Sequence, residues 1–112
     1  MNDNYRIERD SIGELAVPVD AYYGVQALRA YRNFQITGQR LHPLFIQNIV
    51  KIKKAAAIVN ERIGRLEHEK AEAIISACEE IINGEHSDAF IVDAIQGGAG
   101  TSTNMNANEV IA

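Results

Sequence analysis

The residues with the clearest chemical potential form a glycine-rich turn and a polar segment near the end of the 112-residue chain. Gly97, Gly98 and Gly100 place three glycines within four residues, and Thr101-Ser102-Thr103-Asn104 follows directly. Glycine has no side chain to keep backbone N–H groups away from an anion. The polar segment should begin a helix, where free N–H groups and the helix dipole favour negative charge. The pattern therefore predicts a site at which neutral hydroxyls and an amide direct hydrogen bonds to a carboxylate or phosphate.

Two other interpretations of this segment stay open. In the first, Thr101 or Ser102 is only a helix N-cap, and the glycines only form a tight turn. In the second, the anion is a nucleotide phosphate, although Thr103 stands where a dinucleotide fingerprint has glycine or alanine and no Gly-Lys-Ser/Thr ending is present. Asn104 and Asn108 would share one helix face, and Asn106 would lie elsewhere. Because asparagine is unfavourable inside a helix unless its amide has a partner, these residues favour a functional site.

Other reactive side chains along the chain give weaker signals. His68 and His86 flank a glutamate-rich helix but do not form a metal-ligand spacing, so this helix is predicted to carry a solvated face and no metal. Cys78 falls on an apolar stripe and is predicted to be a small buried hydrophobic residue and no nucleophile. A single cysteine excludes an internal disulfide and fits a reducing compartment.

A mainly α-helical fold is predicted to position the glycine turn. Short apolar alternations between Tyr5 and Val17, interrupted at Ser11-Ile12-Gly13, predict a small N-terminal β-hairpin or extended segment. Pro18-Val19-Asp20 predicts a turn, and a helix over about 21–34 with Asp20 as its N-cap should follow.

Two longer helices are predicted next, and they should pack antiparallel. The first begins near Leu41 or His42, before Pro43, and ends near Gly64. Its apolar residues step by four and three, which predicts a helix–helix seam: Phe45, Ile49, Ile52, Ala56, Val59 and Ile63. The second helix ends at Asn83-Gly84, a pair typical of a left-handed C-terminal cap. Its apolar stripe consists of Ala71, Ile74, Ile75, Cys78, Ile81 and Ile82.

Composition limits the class of protein. With 46% apolar and 23% charged residues, the chain is predicted to form one globular domain. A net charge of −4 argues against a nucleic-acid-binding protein. The polar N-terminus lacks a secretion signal, and no apolar run approaches the ~20 residues of a membrane span, so a cytoplasmic protein is expected. The final helical pattern reaches Ala112 without a terminator, which suggests a truncated chain.

The segment 97–112 resembles the first characteristic block of the fumarase/aspartase superfamily. Residues 6–14, Val17-Pro18 and residues 22–30 are similar to the N-terminal signature of the same superfamily, so the resemblance covers the whole chain. Fumarases commonly have serine before the Gly-Thr pair of this block and Gln-Ser after it. This chain has Ala99 before Gly100-Thr101 and Ser102-Thr103 after it, which is more similar to the aspartase branch.

The resemblance implies an enzyme that removes ammonia reversibly from L-aspartate to give fumarate, by anti β-elimination through an aci-carboxylate and without an organic cofactor. Negative charge develops on the substrate carboxylate, so preorganised hydrogen-bond donors are needed there. The resemblance assigns substrate binding to Thr101 first, and then to Ser102, Thr103 and Asn104. Arg29 and Gly100 are supporting residues, although a structural ion pair explains Arg29 equally well.

The resemblance also implies that residues 1–112 are the N-terminal domain of a longer helical-bundle enzyme that forms a homotetramer. The general-base serine of the superfamily would lie outside this sequence, so we expect no catalytic residue within 1–112 and no activity from this piece alone. Two alternatives remain: a class II fumarase, and a non-catalytic helical interaction module in which the amphipathic helices bind a partner.

Overall fold

The computed structural model describes residues 4–112 and consists mainly of helices. A two-stranded hairpin is followed by helices in the order predicted for a mainly α-helical fold, which confirms the fold class. The elements are β1 (Tyr5–Arg9), β2 (Glu14–Pro18), α1 (Val25–Asn33), α2 (Pro43–Arg62), α3 (His68–Ile82), a 3₁₀ turn (Ser87–Ala89) and α4 (Thr101–Ile111).

The hairpin is antiparallel, with Tyr5 opposite Pro18 and Arg9 opposite Glu14. Its turn is held by Asp10, whose carboxylate accepts hydrogen bonds from the amides of Ile12 (3.0 Å) and Gly13 (3.1 Å). A carboxylate that bonds to backbone two and three residues ahead is a common way to close a turn. The predicted break at residues 11–13 therefore lies at the hairpin turn.

The predicted start of the first helix was wrong. Helix α1 begins at Val25 with Gly24 as its N-cap, and Gly24 provides no side-chain cap. The N–H groups of this helix end are instead bound by the carboxylates of Glu8 and Glu109, which come from the hairpin and from α4. Asp20 was a plausible cap by its type and position, but a carboxylate distant in sequence takes that place.

Local signals located both ends of α2 and the C-terminal end of α3 correctly. His42 caps α2 by accepting a hydrogen bond at Nδ1 from the Leu44 amide (3.1 Å), with Pro43 in the first helical turn. Gly64 and Gly84 adopt positive φ angles just after α2 and α3, as expected for left-handed C-terminal caps. The Lys54–Glu79 and Glu61–His68 pairs show that the two helices run antiparallel, as predicted.

The predicted packing face of α2 was wrong. The residues of α2 that are buried are Ile46, Val50 and Ala57. Of the predicted stripe, Ile49 packs against the core, but Ile52 is 70% exposed and Ile63 is 60% exposed, so most of this stripe forms an outer apolar face within the chain. By contrast, the predicted stripe of α3 does face the core, where Ala71, Cys78 and Ile81 are buried.

The core joins the helices to the segment that precedes α4. Phe90 and Val92 from this segment are both nearly inaccessible, and they belong to the same buried cluster as Val50 and Ile81. Helix α4 packs on α1, α2 and α3. The beginning of α4, where the glycine turn ends, is therefore attached to a packed core.

Candidate functional site

The glycine-rich turn has an unusual backbone conformation. Gly98, Ala99 and Gly100 have φ angles of +83°, +55° and +91°, so three consecutive residues lie in the left-handed region. This region costs an L-residue such as alanine roughly 1–2 kcal/mol but suits glycine. The turn leads directly into α4, whose N-cap is Gly100.

Thr101 occupies the first position of α4, so the interpretation that Thr101 or Ser102 serves as the N-cap was wrong. Its hydroxyl donates a 2.6 Å hydrogen bond to the carbonyl of Gly98, and its amide donates to the same carbonyl at 3.1 Å. The residue is exposed. A hydroxyl rotates freely, so the Thr101 Oγ1–H can be redirected from Gly98 to a bound acceptor.

The other three predicted binding residues point in different directions. Thr103 is only 4% exposed and lies in the core. Ser102 is half-buried, whereas Asn104 is exposed and its Oδ1 accepts a 2.6 Å hydrogen bond from Nζ of Lys53 on α2. Thr101 and Asn104, three residues apart, thus present neighbouring polar groups on the exposed side of the first turns of α4.

Gln96 supports the start of α4 and was not found by sequence reasoning. Its Oε1 accepts a hydrogen bond from the Thr103 amide (2.8 Å), while its Nε2 donates to the Asp93 carbonyl (2.8 Å). Gln96 therefore satisfies a backbone donor of the helix end that would otherwise be available to a ligand. The signal available in the sequence was that Gln96 has a long polar side chain and precedes a predicted helix start by a few residues.

Asp93 fixes the loop on the other side of the turn. Its carboxylate accepts hydrogen bonds from the amide of Ile95 (2.8 Å), from both the amide (3.0 Å) and hydroxyl (2.8 Å) of Thr37, and from the amide of Gly38 (3.0 Å). The Ile95 bond contributes most, and together these donors outweigh desolvation and lower the pKa of Asp93 to about 2. This ionised group ties the loop before α2 to the segment that leads into the glycine turn.

The asparagines of α4 have separate environments. Asn106 is fully buried: its Oδ1 accepts from the Ile91 amide (3.0 Å) and its Nδ2 donates to the Ala89 carbonyl (3.0 Å). Within residues 4–112 the side chain of Asn108 makes only one such contact, in which its Nδ2 lies 3.7 Å from the sulfur of Met105. The amide of Asn106 thus has backbone partners in the interior, so the role of this asparagine is structural.

Arg29 has partners in the hairpin. Its Nη2 lies 2.9 Å from Oδ1 of Asp10 and 3.5 Å from the Gly13 carbonyl, and the ion pair is largely buried. Desolvation opposes ionisation of Asp10, but the amides of Ile12 and Gly13 together with Arg29 lower its pKa. These contacts favour the structural explanation of Arg29, since they join α1 to the hairpin turn.

Cys78 is buried, as its position on the α3 stripe predicted, and burial raises the pKa of its thiol. Within residues 4–112 no three histidine, cysteine, aspartate or glutamate side chains form a group able to hold a metal ion. None of the helices in that range is both long and apolar enough to cross a membrane.

A family model described as lyase matches residues 13–112. The chain belongs to the lyase family, within the fumarase/aspartase superfamily.

Two curated members of the lyase family are similar over the whole chain. An aspartate ammonia-lyase of a Bacillus species is 55% identical over 112 residues, and a class II fumarate hydratase of Halobacterium salinarum is 51% identical over 112 residues. In both cases the match covers 100% of this chain and 24% of the relative. The chain therefore spans about a quarter of the length of these lyases.

Solved structures of lyases share the fold. A fumarate lyase:delta crystallin of Brucella melitensis superposes with a TM-score of 0.95 at 48% identity, covering 96% of this chain and 26% of that one. A class II fumarase of Schistosoma mansoni gives a TM-score of 0.92 at 36% identity, covering 96% of this chain and 23% of that one. The hairpin and the helices form an arrangement found in larger lyases.

Proposed function

We propose that this chain is the N-terminal domain, residues 1–112, of an aspartate ammonia-lyase. The whole enzyme would convert L-aspartate reversibly to fumarate and ammonia, in the cytoplasm and as a homotetramer. The 55% identity to the Bacillus aspartate ammonia-lyase supports this choice. The residues around the Gly100-Thr101 pair support it as well, because Ala99 and Ser102-Thr103 are more similar to aspartases than to fumarases.

The single observation that carries the proposed site is the exposed Thr101 hydroxyl beside the left-handed glycine turn. In the elimination, a base removes a Cβ proton of L-aspartate, and the electron pair moves into the adjacent carboxylate. Hydrogen-bond donors that already point at this carboxylate stabilise the charge as it develops. The Thr101 hydroxyl, turned from the Gly98 carbonyl, would bind a substrate carboxylate, with Asn104 beside it. The general base would lie outside residues 1–112.

A second candidate, fumarate hydration, is favoured by the 51% identity to the Halobacterium class II fumarate hydratase. The reverse reaction, dehydration of L-malate, would pass through the same kind of carboxylate-stabilised intermediate and release water where L-aspartate releases ammonia. The two functions are distinguished by following the ultraviolet absorbance of fumarate, with L-aspartate or L-malate given to the complete gene product. Fumarate from L-malate alone would contradict the aspartate proposal.

The role of Thr101 is tested by Thr101→Ala in the complete gene product. Loss of one transition-state donor is expected to reduce kcat by about 10²-fold or more. Thr101→Ser restores the hydroxyl and should recover most of the activity. Ser76→Ala, which removes a hydroxyl from the exposed side of α3, is the control and should leave the rate unchanged. Equal rates for the wild type and Thr101→Ala would refute the assignment.

A further inference from the structure

The N-terminus of α1 is closed by a carboxylate from the opposite end of the chain. Oε1 of Glu109 accepts hydrogen bonds from the amides of Gly24 (3.1 Å) and Ala27 (2.9 Å), and Oε2 accepts from the amide of Gln26 (2.9 Å). A negative charge is favourable here because these are the free N–H groups at the positive end of a helix dipole. Glu109 thus binds three N–H groups at this helix end, where a local N-cap side chain would bind one.

The approach of Glu109 to α1 depends on the absence of a side chain at Gly24. A Cβ at Gly24 would lie 2.5 Å from Oε2 of Glu109 and 2.9 Å from Oε1 of Glu8. Glu8 reaches the same helix end from the hairpin, where its Oε1 accepts the Val25 amide (3.0 Å) and its Oε2 pairs with Arg6 (2.6 Å). The two carboxylates therefore bind one helix end from two different elements.

Only one of these two carboxylates belongs to the helix that carries the candidate site. Glu109 follows Thr101 by eight residues on the continuous helix α4, a distance of roughly 12 Å along its axis. A helix transmits a shift along its axis from one end to the other. Its first turn is held by Gln96, and its last turns are held against α1 by Glu109.

We propose that Glu109 is a positioning residue for the carboxylate-binding turn: by binding the N-terminus of α1, it fixes where α4 places the Thr101 hydroxyl. This inference rests on the proposed function. Glu109 does not touch the substrate in this scheme; it acts through the position of α4.

The test compares Glu109→Gln with Glu8→Gln in the complete gene product. Each variant puts an amide NH₂ group, a donor, among backbone N–H donors, and both should lower the thermal midpoint. Only Glu109→Gln should also raise the KM for L-aspartate, by about tenfold, because small misplacements of a binding group weaken substrate binding strongly. Glu8→Gln should leave KM unchanged. A KM that is unchanged in Glu109→Gln, or raised equally in both variants, would overturn the inference.

A second measurement makes the inference independent of activity. Hydrogen exchange of peptides that cover residues 97–105 should accelerate in Glu109→Gln and stay unchanged in Glu8→Gln, whereas peptides over 24–28 should accelerate in both. If the wild type forms no fumarate from either substrate, the proposed function fails, and this exchange pattern alone decides the role of Glu109. Unchanged exchange over 97–105 in Glu109→Gln would show that α4 does not need this carboxylate for its position.

Gly24→Ala offers a check that does not change the carboxylate. The added methyl group must displace the carboxylate of Glu109, and that of Glu8 as well, and the loss of the Glu109 contact should raise KM in the same way. The double variant Gly24→Ala/Glu109→Gln should show no further increase beyond the larger single effect, because both substitutions break the same contact. Fully additive increases would mean that the two residues act separately.

Discussion

At the scale of single residues, the same residue types have quite different roles in α4. Asn104 is exposed and bonded to Lys53, whereas Asn106 two positions later is fully buried and bonded to the backbone of residues 89–91. Sequence reasoning identified the unusual density of asparagine and hydroxyl residues. It could not assign each residue its role, because that depends on which neighbouring segment faces it. Thr101 was singled out by the resemblance to the fumarase/aspartase superfamily, and it lies exposed at the start of α4.

Asn106→Leu is predicted to destabilise the protein strongly. The apolar side chain would leave the Ile91 N–H and the Ala89 carbonyl without partners in the interior, at a cost of about 2–3 kcal/mol in the free energy of unfolding. Urea denaturation followed by circular dichroism measures this loss. Asn108→Leu is the matched control, since the side chain of Asn108 bonds to no backbone group among the residues that the structure describes. A similar stability for the two variants would contradict the bridging role of Asn106.

At the scale of elements, helix ends set by neighbouring residues were predictable, and ends set by distant residues were not. His42 with Pro43, and the glycines at 64 and 84, act within a few residues of the helices that they delimit. The start of α1 depends on Glu109, whose approach requires the complete tertiary fold. The prediction of the packing face of α2 was wrong for a related reason. The helix has apolar residues on two sides, and periodicity alone does not decide which side meets α3.

Truncations on the two sides of α2 should therefore have unequal effects. Val50→Ala removes two methyl groups from a fully buried site, and we expect a loss of about 2 kcal/mol. Ile52→Ala removes more carbon atoms from a side chain that is 70% exposed, and the expected loss is below about 0.5 kcal/mol. Chemical denaturation of both variants of this chain measures the difference. A larger loss in Ile52→Ala would restore the predicted stripe as the packing face.

At the scale of the whole molecule, buried polar contacts join segments that are far apart in sequence. Asp93 binds residues 37 and 38, Asn106 binds the segment before the glycine turn, and Arg29 binds the hairpin turn. Apolar packing accounts for most of the core, but these contacts determine how the loops are placed around it. Part of this network surrounds the glycine turn, so the stability of the fold and the geometry of the candidate site depend on shared residues.

Asp93 should make the stability of the chain sensitive to acid. Its pKa is about 2 in the folded state against a usual value of 3.8, so the folded state favours the ionised form. The stabilisation is complete above pH 3.8 and is lost as the pH falls through 2. Asp93→Asn should be less stable at neutral pH and should lose less stability between pH 5 and 2.

Urea denaturation at several pH values compares the wild type with Asp93→Asn. Asp20→Asn, at an exposed position before α1, serves as the control and should keep the acid dependence of the wild type. Identical pH profiles for the wild type and Asp93→Asn would show that this carboxylate does not contribute to acid sensitivity.

The cap of α1 by Glu109 also constrains the order in which the chain folds. Gly24 and Glu109 are 85 residues apart, so a growing polypeptide exposes the start of α1 long before its cap has been synthesised. A nine-residue helix is too short to persist by itself in water. The complete set of hydrogen bonds at this helix start therefore forms only after α4 has been made and has packed against α1. We expect this long-range contact to form after the folding transition state, so loss of the Glu109 carboxylate should speed unfolding more than it slows folding.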